Sequence, residues 1–196
     1  MNKIAEAPLL IATLGIMLFS IMDAVMKGQA LAMGTYNAMF CRMLMGAICV
    51  SLLYLPTRPI AASGRVLKIH IIRATLTAVM AYLFFYGLTR IPLAQAIGLS
   101  FIAPIITLFL AVPLLGERIG ANAKLAAALG FGGVIVVVGG EVLSVGPEGD
   151  LLGMGAVLLS AVMYAFNLIL QRMQALIAKP LEIAFYQNII VFVILL

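Results

Sequence analysis

Charge is what this sequence has least of. Only 10% of its 196 residues are Asp, Glu, Lys or Arg, where soluble domains carry about a quarter. Tryptophan is absent, histidine occurs once and cysteine twice. One histidine and two cysteines supply neither a metal cluster nor a disulfide framework. Cys41 and Cys49 share one apolar run, roughly 12 Å apart along a helix, too far to bridge. They read as packing residues. The motifs His-Glu-x-x-His, Gly-x-Ser-x-Gly and Gly-Lys-Ser/Thr do not occur, so nothing points to an enzyme or to a pump with its own ATPase. No metal or cofactor is expected. What is present is apolar: 65% of residues are hydrophobic and the mean hydropathy is +1.22. A water-soluble core cannot hide that much surface, so the surrounding medium must be lipid. The net charge of +5 does not mark a nucleic-acid surface, because the basic residues sit at the ends of apolar runs.

A lipid-crossing helix needs about 20 mostly apolar residues. The runs predict seven: about Leu9 to Ala30, Met33 to Leu55, Ile69 to Thr89, Pro92 to Leu115, Lys124 to Leu143, Leu151 to Met173, and one from Leu181 to the last residue, Leu196. The runs are continuous rather than alternating, which disfavours strands. The amino end imitates a signal peptide with an Ala30-Leu31-Ala32 site, but Asp23 and Lys27 interrupt the approach to it. Lys and Arg gather on the amino-terminal side, at Lys3, Arg58, Arg65, Lys68, Arg118, Lys124, Arg172 and Lys179. By the positive-inside rule the amino terminus is cytoplasmic. The loop with Glu148 and Asp150, which has neither Lys nor Arg, then faces outward.

The sixth span can be laid on the first, matching Gly15 with Gly155, Leu18 with Leu158 and Ser20 with Ser160. Five spans separate the copies, so the second enters the membrane from the opposite face. That is an inverted-topology repeat. On this reading residues 9–143 form a first repeat and 151–196 the start of a second. A complete second copy would need on the order of 90 further residues. A genuine seven-span protein is the alternative.

An ionisable residue at mid-membrane costs about 2.5–3.5 kcal/mol on insertion scales and usually faces the protein interior. Asp23 and Arg42 fall at nearly one depth on neighbouring antiparallel spans, and Lys27 follows Asp23 by one helical turn. Either they neutralise each other or they line a substrate cavity. The repeat sets Asn167 against Lys27 and Asn188 against Arg42, with Tyr164 and Gln187 nearby. These give an amide-rich layer in the cytoplasmic half, or ordinary helix-to-helix hydrogen bonds. Tyr82 and Tyr86 lie on one face of the third span. Gln95 and Ser100 precede Pro104, which removes a backbone hydrogen bond near mid-depth and can kink the fourth span. Arg73 and Glu117 approach the cytoplasmic side as a gate, an ion pair or two solvated helix ends. His70 reads as interfacial. The stripe Ala126-Ala127-Ala128 with Gly130, Gly132 and Gly133 reads as a packing face.

Several of these motifs occur together. Ile91-Pro92-Leu93-Ala94-Gln95-Ala96, Ser100-Phe101-Ile102-Ala103-Pro104, Leu114-Leu115-Gly116-Glu117-Arg118 and the Gly-rich fifth span resemble the EamA domain of the drug/metabolite transporter superfamily. Asp23-Ala24-x-x-Lys27 with Arg42 is similar to bacterial members. The resemblance implies a ten-helix fold of two inverted five-helix repeats, of which this all-α polytopic chain holds the first seven helices. It also implies a multi-pass protein of the bacterial inner membrane.

The expected function is secondary transport of small metabolites or amino-acid-like solutes by alternating access. The expected substrate-binding set is Asp23, Lys27, Arg42, Tyr82, Tyr86, Gln95, Ser100, Pro104, Tyr164, Asn167, Gln187 and Asn188, with Arg73 and Glu117 as gate or ion pair. The alternative is a non-transporting membrane subunit that assembles with a partner to form a cavity. Expected partners are the lipid bilayer and a small-molecule substrate, with a homodimer as a candidate assembly and no nucleic acid.

Overall fold

The computed structural model describes residues 3–57, 62–115, 120–145 and 150–196. All regular structure among the described residues is helical. The helices are α1 (Lys3–Met33), α2 (Thr35–Tyr54), α3 (Gly64–Leu88), α4 (Leu93–Ser100), α5 (Ile102–Leu115), α6 (Ala121–Val145), α7 (Leu151–Ala175) and α8 (Pro180–Ile194). A short 3₁₀ turn, Leu55–Thr57, ends α2. Helices α4 and α5 follow one expected segment, so seven helical stretches among the described residues run along the seven expected segments. Among the described residues, five stretches are long and apolar enough to cross a bilayer: Thr13–Met33, Thr35–Thr57, Gly64–Leu88, Leu93–Leu114 and Leu151–Ala175. Large apolar side chains such as Leu10, Ile16, Leu52, Val136 and Leu151 are more than half exposed. In a bilayer that surface meets acyl chains.

Helices α1 and α2 fold back on each other through Gly34 alone. Its φ of 86° is a left-handed value that costs other residues roughly 1 kcal/mol or more. Its N–H bonds the Ala30 carbonyl at 3.0 Å while its own carbonyl accepts from Ala38 N–H at 3.1 Å. One residue therefore ends one helix and starts the next.

Two antiparallel seams hold the bundle together. Along the first, α3 runs against α7. Gly87 meets Val157 and Gly153, Ser160 Oγ donates to the Met80 carbonyl at 2.7 Å, Thr77 and Arg73 meet Asn167, and His70 meets Gln174. Along the second, α2 runs against α8. Tyr36 Oη donates to the Leu195 carbonyl at 2.5 Å. Phe40 lies by Phe192 with ring centroids 5.5 Å apart, Gly46 by Asn188, and Tyr54 by Phe185 at 4.6 Å. The core between these seams joins Ala30, Ala38, Met39, Ala74, Ala78, Leu88, Ala96, Val157 and Val191. Its many alanines let helix axes approach closely, as is usual where lipid removes the hydrophobic drive for helices to associate.

The fourth span breaks as expected, but at Phe101 rather than at the proline. Pro104 has no N–H for the Ser100 carbonyl, and its ring crowds that carbonyl. The Phe101 N–H turns back to the Gly98 carbonyl at 3.2 Å, and α5 restarts at Ile102. Two packing expectations fail. Cys41 and Cys49 are free and exposed, on the face of α2 turned away from the core. Cβ atoms placed at Gly130, Gly132 and Gly133 would meet nothing within 4 Å, so this stripe of α6 is open among the described residues.

Candidate functional site

The hairpin α1–α2 carries the first charged pair. Asp23 is buried and no hydrogen-bond donor among the described residues reaches its Oδ1. Arg42 lies over the Phe85 ring at 5.8 Å. The two charges interact electrostatically, yet no ion pair joins them among the described residues. Equal depth was expected, and the helix ends explain the difference. Helix α1 continues to Met33 and α2 begins at Thr35, so Asp23 sits about 15 Å from the hairpin end and Arg42 about 10 Å at a rise of 1.5 Å per residue. Lys27 leaves this pair altogether. Its Nζ donates to the Ile91 carbonyl at 2.9 Å, tying α1 to the turn between α3 and α4.

Nearer the amino-terminal end of α3 lies a buried polar chain. Arg73 Nε donates to Asn167 Oδ1 at 3.2 Å and its Nη1 to Gln174 Oε1 at 2.6 Å. Thr77 Oγ1 donates to the same Asn167 oxygen at 3.2 Å. Gln174 Nε2 stands 2.7 Å from His70 Nδ1, and His70 Nε2 lies 3.5 Å from Glu182 Oε1. The His70 ring stacks on Tyr186 at 4.7 Å. His70, expected at the interface, is only 1% exposed. Gln174 of α7 and Glu182 and Tyr186 of α8 surround it. Arg73 likewise has partners inside the bundle. Glu117, its expected counterpart, lies outside the described residues. Tyr164 lies within electrostatic range of both Asp23 and Arg73.

The other expected residues scatter. Gln95 is buried on α4, and Gln187 has a buried amide nitrogen without a partner among the described residues. Asn188 returns its amide to the Ala184 carbonyl at 2.9 Å and lies against Gly46. Ser100 Oγ donates to the Ala96 carbonyl of its own helix at 2.8 Å. Pro104, Thr107, Leu168 and Arg172 line a cleft of about 190 Å³ between α5 and α7. A larger groove of about 480 Å³, bounded by Leu44, Ser51 and Phe192 among others, is almost wholly apolar and lies on the lipid side of α2 and α8. Tyr82 and Tyr86 stack at 6.4 Å, but Tyr86 serves the end of the bundle. Arg90 lies over its ring at 4.7 Å and pairs with Asp150 at 2.8 Å. The hydrogen bond from Arg90 holds the Asp150 carboxyl below its ordinary range, and Gly153 N–H adds to this. This exposed pair therefore persists at neutral pH. It is lost only as pH falls through that depressed value, below where a free carboxylate titrates.

His70, Gln174, Glu182, Thr77 and Tyr186 were not singled out as site residues from sequence. A signal existed. His70, Arg73 and Thr77 recur at helical spacing on α3, and Asn167 and Gln174 are two turns apart on α7.

Helices of spanning length, an apolar exterior and charged side chains turned into the bundle define a multi-pass membrane protein with a polar interior. The EamA-like transporter family model matches residues 7–139, and the chain belongs to that family. It is 27% identical over 114 residues to the pseudopaline exporter CntI of Pseudomonas aeruginosa strain UCBPP-PA14, and equally to that of strain PAO1. The match covers 58% of this chain and 40% of each relative. The chain thus spans about two fifths of the length of the curated relatives it matches. No solved structure matches it with significance.

Proposed function

We propose that this chain serves secondary transport of small metabolites or amino-acid-like solutes across a bacterial inner membrane. The observation that carries this reading is Asp23, a buried carboxylate with an oxygen that no described donor reaches, set in the field of Arg42 without being paired to it. A charge kept at mid-membrane and left unsatisfied is ready for a cationic or ammonium group. A guanidinium fork suits a carboxylate. Family membership supports transport, and the relatives described as exporters favour the outward direction. Residues 9–143 and 151–196 would be one inverted repeat and the start of the next, exchanging access around this layer.

The direct test is a thermal-stability screen of the complete purified protein against amino acids and related carboxylates. A zwitterionic solute should raise the melting temperature, and the shift should vanish in Arg42→Gln. A shift of equal size in Arg42→Gln would remove Arg42 from the site. The proposed orientation places the amino terminus in the cytoplasm. It fits the pairing of Arg90, a basic residue of the opposite face, with Asp150. Single cysteines at positions 65 and 148, in a background lacking Cys41 and Cys49, test it with an impermeant thiol reagent. Intact cells should label at 148 and not at 65; the reverse pattern inverts the topology.

A further inference from the structure

The buried chain on α3, α7 and α8 has a fixed hydrogen-bond direction, and that direction has a consequence. An arginine guanidinium can only donate. The Gln174 atom 2.6 Å from Arg73 Nη1 is therefore its carbonyl oxygen. The Gln174 amide nitrogen then faces His70 Nδ1 at 2.7 Å. An amide nitrogen also only donates, so Nδ1 must offer a lone pair. A neutral imidazole with a bare Nδ1 carries its proton on Nε2. That atom makes no hydrogen bond among the described residues and points at Glu182 Oε1, 3.5 Å away. Arg73 thus dictates the histidine tautomer through one amide.

A second proton can enter the ring only at Nδ1, where it would meet the Gln174 donor head-on. Turning the amide relieves that contact but presents its N–H groups to Arg73, donor against donor. A doubly protonated His70 and an Arg73 clasped by Gln174 are incompatible. We propose that His70 is a proton-binding site and that uptake of a proton there releases Arg73 from Gln174. The step balances as a proton transfer: a hydronium ion's O–H bond breaks, an Nδ1–H bond forms, water is left, and the new charge faces the Glu182 carboxylate. The Glu182 side chain is 19% exposed, which gives solvent a way in.

The groups around the ring act in both directions. From α8, Glu182 favours the imidazolium, and Tyr186 stacks on the ring. From α7, Gln174 opposes it. On α3 itself, Arg73 opposes it as a like charge. From α2, Tyr54 lies near both Glu182 and Tyr186. Once released, Arg73 keeps Asn167 as a pivot, and Tyr164 is within electrostatic range of both Arg73 and Asp23. Proton uptake at one end of the chain would shift positive charge toward the carboxylate of the proposed site. The chemistry stands apart from the transport reading; only its use as coupling rests on that reading.

The test is nitrogen NMR of the complete protein in lipid nanodiscs, labelled with ¹⁵N at histidine and arginine side chains. At neutral pH, His70 should be the Nε2–H tautomer. On acidification, His70 and the Arg73 guanidinium should shift with one midpoint. In His70→Gln the Arg73 step should disappear, and in Glu182→Gln the midpoint should move to lower pH. In Gln174→Leu, His70 should still titrate while Arg73 no longer follows. An Nδ1–H tautomer at neutral pH would overturn the proposal. So would an Arg73 signal that stays flat while His70 titrates, or a His70 that takes no second proton down to about pH 4, well below its ordinary 6.5. If the variants do not fold, the tautomer and the shared midpoint in the native protein decide it. No solute is measured, so these results stand whether or not a transported substrate is found.

Discussion

Asp23→Asn should keep the fold and lose the substrate. Asparagine matches aspartate in shape, and no direct ion pair is broken, since Asp23 and Arg42 interact only at a distance. Removing one partner of a buried pair in contact costs about 3–5 kcal/mol. Here the change in stability should stay within about 1 kcal/mol, because the burial cost of the charge disappears together with its attraction to Arg42. Binding is another matter. A charge-assisted hydrogen bond contributes roughly 1.5–3 kcal/mol, so affinity for an ammonium-bearing solute should fall about 10- to 100-fold. Melting temperature and the ligand-induced shift, read on the same sample, separate the two. A variant that unfolds points to a structural carboxylate. A variant that binds as before places the site elsewhere.

The second large effect is expected at Gly87. A Cβ there would overlap Val157 Cγ2 and come within 2.9 Å of the Gly153 carbonyl oxygen. Overpacking commonly costs 1–3 kcal/mol, and a backbone oxygen cannot rotate away. Gly87→Ala should lose about 2–3 kcal/mol by that range, and Gly87→Val should not accumulate as folded protein. Adding Val157→Ala removes the side-chain overlap but not the carbonyl, so the double variant with Gly87→Ala should recover only part of the loss. Gly15→Ala is the control, because nothing lies within 4 Å of a Cβ there. Unfolding in mixed detergent measures Gly87→Ala, the double variant and Gly15→Ala, and the yield of folded protein reads Gly87→Val. A neutral Gly87→Ala would mean that α3 and α7 do not approach at this point.

The spans were legible because lipid imposes a run of apolar residues whatever the tertiary fold. The break in the fourth span was legible because Pro104 removes one specific hydrogen bond, and its position shifted only because the affected carbonyl lies four residues earlier. Asp23 and Arg42 stood out by cost alone. Their missing contact did not, since an extension of α1 by three residues moves one charge by almost a helical turn. The Arg73 chain was hidden for a different reason. Arg73 and Asn167 were candidates singly, but the bonds join α3 to positions on α7 and α8 that no local pattern links. Lys27 shows the same limit: helical spacing put it beside Asp23, and a carbonyl beyond the end of α3 claimed it instead.

The same distance along the chain has a bearing on biogenesis. Arg73 finds its acceptors 94 and 101 residues later, at Asn167 and Gln174. At synthesis rates of about 5–20 residues per second, α3 leaves the ribosome roughly 5 to 20 s before α7. During that interval its guanidinium and imidazole have none of their final partners, and lipid is a poor host for either. A polar shelter, at the insertion machinery or the membrane surface, would spare α3 that cost until α7 arrives. The arrival of α7 and α8 is then what allows α3 to settle.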